Sequence, residues 1–233
     1  MTAYQLSPIA WIDTPFNEKF GIPRQSIGLS QARGKLRFRE DINVVNACRG
    51  LEKFSHLWLS FVFHQHHNKK WSDTVRPPRL GGNERVGVFA SRATHRPNPL
   101  GLSLVKNEGL NTLNELIVSG VDLLNNTPIL DIKPYLDYAD CAKDAICGYA
   151  PSRPSDLKLV SFSQSANHQI KKINQTQTDF KALLVSILEQ DPRPAYKQDL
   201  KNDPKQYHIT LYQWDILWWV RDTGIIVKSI TLS

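Results

Sequence analysis

Two prolines one residue apart constrain this chain more than any other feature. Pro97 and Pro99 bracket Asn98 inside the stretch Arg92-Ala93-Thr94-His95-Arg96-Pro97-Asn98-Pro99-Leu100-Gly101-Leu102-Ser103. Each proline fixes its own φ and drives the residue before it out of the α region, so no regular helix runs through here. The loop is extended or turned, and it opens directly into an apolar segment, Leu100 to Val105, that reads as a strand. Arg92, His95 and Arg96 load the stiffened loop with hydrogen-bond donors. A rigid, donor-rich loop delivered onto a strand is the kind of segment that carries function on a scaffold. A solvated proline-rich connector has the same composition, so the stretch alone does not decide between the two.

Around it the chain is cut into short units. Residues 4–12 alternate loosely and read as a strand, as do Lys35 to Arg39, Val86 to Ala90, Leu100 to Lys106, Glu115 to Val121 and Ile129 to Ile132. Leu57 to Phe63 is apolar or aromatic at nearly every position and fits a buried strand. Asp41 to Phe54 is ambiguous, with a helical turn near Arg49 to Lys53. Asn68 to Asn83 carries Trp71, Pro77, Pro78, Gly81 and Gly82 and reads as a long exposed loop. Asn125-Asn126-Thr127-Pro128 is a turn. Many short strands without helices between them predict an all-β barrel or sandwich.

The pattern changes after Tyr149 to Ser155, which reads as a linker. Ser163 to Asn174 is polar and helical in character. Thr178 to Gln190 places Phe180, Leu183, Leu184, Ile187 and Leu188 at helical spacing and stops before Pro192. Gln206 to Thr231 then gives two or three strands, with a hairpin turn at Asp222-Thr223-Gly224. The expected fold class is mainly β: a domain of strands over residues 1–150 and a small α+β domain over 156–233.

The formal net charge is +7, and it is spread over both halves. The densest patch is Arg24, Arg33, Lys35, Arg37 and Arg39, with no acid between Lys19 and Arg39. Such a field attracts polyanions, nucleic acid among them, although many basic proteins bind none. No apolar run approaches the roughly 18 residues of a membrane helix. The N-terminus lacks the basic and apolar regions of a signal peptide. The three cysteines, Cys48, Cys141 and Cys147, form no disulfide framework and suggest buried thiols in a reducing cytoplasm.

Several chemistries are excluded or weakened by spacing. No Gly-x-Gly-x-x-Gly fingerprint is present, and Gly34-Lys35 is followed by Leu36, so the usual dinucleotide and phosphate loops are missing. Any nucleoside cofactor would therefore sit outside a Rossmann sheet. His64-Gln65-His66-His67 invites a metal, but on a strand only His64 and His66 share a face, and two imidazoles without a third ligand do not make a site. No metal is expected. Ser91, Ser103 and His95 lack the Gly-x-Ser-x-Gly turn of a hydrolase nucleophile. Asp131-Ile132-Lys133-Pro134-Tyr135 sets a carboxylate and an ammonium on one face of a strand end, which is either a surface ion pair or a ligand site. Trp214, Trp218 and Trp219 suit a core better than base stacking.

The motif Arg-x-x-x-Arg-Pro-Asn-Pro-x-Gly-x-Ser resembles the signature of the TsaA/YaeB-like family, the TrmO-type tRNA methyltransferases. Pro23-Arg24-Gln25, the run Phe54-Ser55-His56-Leu57-Trp58 to Phe63-His64-Gln65, and Leu130-Asp131-Ile132-Lys133-Pro134-Tyr135 resemble its other blocks in the same order. Asp191-Pro192-Arg193-Pro194-Ala195-Tyr196 resembles a block of its C-terminal extension. The resemblance implies an antiparallel β-barrel and an S-adenosylmethionine-dependent enzyme. Its target would be N6 of threonylcarbamoyladenosine at position 37 of tRNA, and the chain would be a homodimer. Carried over motif by motif, Pro23, Arg24, Gln25, His64, Gln65, Arg92, Leu102, Asp131, Ile132, Lys133 and Pro134 would line the cofactor site. Asp131, His64 and Tyr135 are the candidate bases, and the sequence does not choose among them. Arg33, Lys35, Arg37 and Arg39, with Arg193 and Tyr196 on the second proline-stiffened loop, are the candidate tRNA contacts. A non-catalytic RNA-binding barrel and a metal-dependent hydrolase using the histidines remain the competing classes.

Overall fold

The computed structural model describes residues 4–23, 28, 30–66, 70–152 and 157–233. Twelve strands occur in these residues: β1 (Ala10–Asp13), β2 (Arg33–Phe38), β3 (His56–Val62), β4 (Thr74–Val75), β5 (Val86–Gly87), β6 (Leu100–Leu110), β7 (Leu116–Ser119), β8 (Thr127–Pro134), β9 (Val160–Phe162), β10 (Tyr207–Leu211), β11 (Trp214–Arg221) and β12 (Gly224–Leu232). The helices are α1 (Val44–Ala47), α2 (Asp137–Asp140), α3 (Gln164–Ile173), α4 (Phe180–Leu188) and α5 (Ala195–Gln198).

Six strands close into an antiparallel barrel in the order β1-β2-β7-β6-β3-β8. Closure removes the sheet edges that a flat set of short strands would expose. The period-2 pattern explains which face is inside. In β3, Leu57 and Leu59 are fully buried and Phe61 nearly so, while Trp58 and Ser60 between them face outward and are half-buried. Leu57 to Phe63 is thus buried on one face, not two. Ile12, Leu36, Val105, Leu116, Val118 and Ile129 complete the barrel core. Gly101 shows why the motif needs glycine: a Cβ there would overlap the ring of Phe61 on the facing strand.

Three expected strands fall short. Only residues 10–13 of the N-terminal segment form the strand, with Ile9 just before them hydrogen-bonded through its backbone to Ile129 and Arg39. Val86 to Ala90 gives a two-residue strand and then a 3-10 turn, since only Thr74 and Val75 face it. Residues 64–66 form a 3-10 turn, not a strand end, so His64 and His66 are not strand neighbours on one face.

The C-terminal region is a four-stranded sheet, β10-β11-β12-β9, with β9 parallel to β12 and β10 to β12 a meander. Ser163 caps α3 by accepting from the Ala166 N–H at 3.0 Å. The apolar stripe of α4 (Phe180, Leu183, Leu184, Ile187 and Leu188) is buried in a cluster that also contains barrel residues. Phe16, 1% exposed, forms an antiparallel bridge to Leu211. The Tyr212 N–H donates to Pro15 O at 2.8 Å, and the Thr210 N–H to Glu18 at 2.8 Å. A Cβ on Gly21, held at φ +87°, would meet Ile209 of β10. Trp218 is fully buried between Phe20 and Tyr207. Trp219 has Arg221 and Lys228 over its ring, so stacking on bases is not its arrangement here.

Candidate functional site

The register of the barrel brings the expected cofactor residues onto one outer face. Ser60 in β3 pairs with Leu102 in β6 on one side and with Asp131 in β8 on the other. Directly opposed residues share a face, so Leu102, Ser60 and Asp131 form one outward row. The next row is Leu104, Trp58 and Lys133. The β3–β8 register shifts between Ser60 and Phe61, and such a bulge re-aims side chains beside a site. Leu102 is 59% exposed and Leu100 45%, an apolar surface that a folded chain seldom leaves bare without use. Ile132 and Pro134 oppose Leu59 and Leu57 on the core face, so on this outer surface they can offer only backbone.

The proline loop closes one end of that face. The Phe63 N–H donates to Pro99 O at 2.7 Å, tying the loop to the β3 exit where His64 and Gln65 follow. His66 and His95 meet edge to face with centroids 4.4 Å apart, and Thr94 lies 3.3 Å from His66. Arg96 is anchored by donating to Ser91 O at 2.9 Å and Val88 O at 3.2 Å. Arg92 in the same loop is exposed. Pro23, directly after the Lys19–Ile22 turn, is buried, and Lys19 approaches His66 to 3.2 Å. Arg24 and Gln25 lie outside the described residues.

The three candidate bases differ in readiness. Burial and, secondarily, the Lys19 charge push the His64 imidazole below its ordinary range, which leaves a neutral ring able to accept a proton. Desolvation first, then the hydrogen bond to Asp137, push the Tyr135 phenol up, so it stays protonated and acts as a donor. Asp131 is paired with the Lys133 ammonium and accepts from the Ile132 N–H at 2.9 Å. Trp58 and Tyr135 pack at 6.1 Å, and Trp58 donates to Asp140 at 3.1 Å, which lays α2 over the second row.

A residue that sequence reading passed over sits behind this face. Asp122 follows β7; it is half-buried between the buried Val121 and Leu123 and accepts a hydrogen bond from the Ser103 hydroxyl. Burial pushes its carboxyl up to about 6, against the opposing pull of Ser103 and Arg92. One signal was available: an acid inserted in the apolar run Val118 to Leu124.

The expected RNA contacts fare unevenly. Arg33, Lys35 and Arg37 alternate outward along β2, and Arg39 follows. Each is met by a carboxylate that the sequence had placed far away or just beyond: Arg33 by Asp179 at 3.5 Å, Lys35 by Glu115 at 3.2 Å, Arg37 by Asp13 at 2.9 Å, Arg39 by Asp41 at 2.9 Å. Arg193 does not reach the surface at all. Its side chain is 0% exposed, its Nε and Nη2 hold Asp191 at 2.8 and 2.7 Å, and its remaining donors go to Asp203, Leu200 O and Gln198 O. All five N–H groups are spent, so a direct phosphate contact by Arg193 is ruled out in this conformation. Tyr196 on α5 is 74% exposed and stays available.

Among the described residues no three His, Cys, Asp or Glu side chains converge as a metal site would need. None of their helices is long and apolar enough to cross a membrane. The expectation of buried thiols holds for Cys48 only, since Cys141 and Cys147 are exposed.

The model of the tRNA-methyltransferase O N-terminal domain matches residues 11–141, and that of the TrmO C-terminal domain matches 154–233. A protein of Escherichia coli K12 named tRNA (adenine(37)-N6)-methyltransferase is 40% identical over 233 residues, covering 99% of each chain. A Pseudomonas aeruginosa protein named putative S-adenosylmethionine-dependent methyltransferase RcsF is 45% identical over 217 residues, 92% of each chain. The crystal structure of TrmO from Pseudomonas aeruginosa superimposes with a TM-score of 0.81 at 37% identity, covering 99% of this chain and 100% of that one.

Proposed function

The chain belongs to the TrmO family of tRNA methyltransferases, and from that membership we propose that it transfers a methyl group from S-adenosylmethionine to N6 of adenosine 37 in tRNA. The observation that carries the reading to particular atoms is the shared row of Leu102 and Asp131 across Ser60, capped by the Arg92 loop and His64. The donor set fits the cofactor. Leu102, Leu104 and Trp58 offer apolar surface, Arg92 suits a carboxylate, and Asp131 suits an ammonium or a sulfonium charge. Pro23 with Arg24 and Gln25, His64 with Gln65, and the backbone of Ile132 to Pro134 complete the proposed set. When bound, the cofactor supplies an already activated methyl group, so alignment and exclusion of water matter more than covalent help.

This chain's own residues then have two tasks. The outer face positions the target adenine beside the donor, with α2 and the proline loop limiting water. A group must also take the N6 proton, and His64, held neutral by burial, is the best placed of the three candidates. We take the threonylcarbamoylated nucleoside as the substrate and the cytoplasm as the compartment. Residues 1–150 are assigned to the donor and 156–233 to tRNA recognition. We also take the chain to be a homodimer, which sedimentation of the wild type checks.

Titration calorimetry with S-adenosylmethionine, with and without chelator, followed by methyl transfer to tRNA, tests the whole. Chelator-insensitive micromolar binding with transfer to adenosine 37 is expected. RNA binding without donor affinity would leave a non-catalytic barrel, and chelator-sensitive hydrolysis would revive the metal reading.

A further inference from the structure

A polar cleft of about 390 Å³ opens where the barrel meets α4. One wall is a single row of the barrel's outer surface. His56 in β3 opposes Lys106 in β6, Lys106 opposes Ser119 in β7, and Ser119 opposes Arg33 in β2. Directly opposed residues share a face, so these four side chains line up across four strands. The other wall is the start of α4, where Asp179 reaches Arg33 at 3.5 Å. A cleft of this size takes a nucleoside-sized ligand, and its charged and hydroxyl lining suits one that hydrogen-bonds. The row also continues the donor face. Lys106 lies four residues beyond Leu102 in β6 and His56 four before Ser60 in β3. All four therefore share the outer side, the two rows being roughly 13 Å apart at about 3.3 Å per residue.

Lys106 and Glu108 are held ready in this cleft. The β6–β7 register shifts between Asn107 and Leu110, and a bulge of this kind re-aims side chains. Asn107 pins the bend: it donates to Leu51 O and Phe54 O, both at 2.8 Å, and accepts from the Gly109 N–H at 3.0 Å. Glu108 accepts from Lys106 at 3.0 Å and from Ser119 at 2.7 Å, and both bonds land on Oε1. Its Oε2 has no hydrogen-bond partner among the described residues, and Lys106 has spent one of its three N–H groups. The Ser119 hydroxyl first, then the Lys106 ammonium, hold the Glu108 carboxyl below its ordinary range, so near neutral pH it is an acceptor only. As an exposed ion pair alone, Lys106 and Glu108 would add little to stability.

We propose that this cleft is a nucleobase subsite: it takes one unpaired base flanking adenosine 37, Glu108 Oε2 accepting an N–H of the base edge and Lys106 donating to the oxygen or ring nitrogen beside it. The inference rests on the reading of the chain as an adenosine-37 methyltransferase. Sequence in RNA is read on unpaired loop bases, through hydrogen bonds to their edges. A fixed acceptor beside a fixed donor matches an edge that carries the complementary pair. A base that sets an acceptor against Glu108 is repelled, so the cleft discriminates and does not merely attract. A base held here anchors the RNA loop while the target adenine lies on the Leu102–Ser60–Asp131 row.

The test uses the full chain as wild type, Glu108→Gln and Lys106→Gln. The RNAs are anticodon stem-loops with threonylcarbamoyladenosine at position 37 and each of the four bases on either side of it. RNA binding, methyl transfer and S-adenosylmethionine affinity are measured separately. Wild type is expected to prefer one base at one flanking position by about ten-fold in binding. Both variants should flatten that preference and lower kcat/KM on the preferred RNA by about ten-fold, with S-adenosylmethionine affinity unchanged. No base preference in wild type would overturn the subsite, as would a preference left intact in both variants, whether or not they bind RNA more weakly. Lost affinity for S-adenosylmethionine in the variants would give the cleft to the donor and overturn it too. A wild type that binds RNA but neither binds the donor nor methylates would bring down the functional reading, and its base preference would still decide the subsite.

Discussion

Two loops in this molecule are built on the same local plan and end in opposite roles. Pro97 and Pro99 hold Asn98 in a loop whose Arg92 is exposed; Pro192 and Pro194 hold Arg193, which is fully buried. Local stiffness is alike in the two, because proline acts on φ alone. The acids nearby decide the rest. Around Arg193, Asp191 and Asp203 arrive at 2.7 and 3.4 Å and Tyr207 donates to Asp203 at 2.7 Å, so the guanidinium becomes the knot tying residues 191–203 to the last sheet. Asp191 accepts a left-handed φ of 48° to make the pair. Arg92, by contrast, is exposed, which leaves its guanidinium open to a ligand.

The sharpest way to break the comparison is to remove both arginines in turn. Arg193→Ala strands two buried carboxylates and should cost about 3–5 kcal/mol, lowering the melting point or unfolding the C-terminal region. Arg92→Ala should leave the melting point within about 0.5 kcal/mol of wild type, yet weaken S-adenosylmethionine binding by about 1.5–3 kcal/mol. Calorimetry on both proteins reads both numbers. An Arg193→Ala protein of normal stability that fails only on tRNA would restore it as an RNA contact.

The same knot has a pH signature. The Tyr207 hydrogen bond, then the Lys205 N–H, hold the Asp203 carboxyl down to about 2 from its ordinary 3.8. A carboxyl depressed in the folded state contributes stability above its unfolded value, and that contribution disappears as the pH falls to the folded one. Acid unfolding followed by circular dichroism between about pH 4 and about pH 2 should therefore steepen in wild type and flatten in Asp203→Asn. Equal slopes would remove Asp203 from the ledger.

These cases mark what pattern reading reaches. The strand at Leu57 to Phe63, the helical stripe of Phe180 to Leu188 and the hairpin at Asp222–Gly224 are local, and each appears where the sequence put it. Closure of the barrel is not local: β1 pairs with the nearby β2, but its second pairing, with β8, joins residues more than a hundred positions apart. The motifs placed Leu102 and Asp131 near a site, but only the register at Ser60 shows why they share a face and why Ile132 does not. Charge was the poorest guide. Asp179 faces Arg33 from the far side of a linker, and Asp203 reaches Arg193 across ten residues, so a basic stretch in sequence becomes a row of ion pairs in space.

That row supplies the smallest effect and the finest discrimination. Arg33, Lys35, Arg37 and Arg39 lie on the outside of the barrel, each against a carboxylate and each largely in water. Exposed pairs of this kind are worth little to stability, so nothing in folding requires them. They matter for RNA because a cation already facing a carboxylate neutralises less phosphate. An unpaired arginine on a phosphate track contributes about one unit to the salt slope of binding. Arg33→Gln or Arg37→Gln should therefore lower the slope by clearly less than that if the pairs persist in the complex. Freeing a cation should do the reverse: Asp41→Asn releases Arg39 and should steepen the slope and tighten binding. Filter binding to tRNA between 50 and 200 mM salt measures all three. A full unit lost per arginine would show that RNA opens the pairs and tracks the row. No change in any variant, Asp41→Asn included, would move the phosphate path off β2 and towards the exposed side of α5, where Tyr196 stands free of the buried knot beneath it.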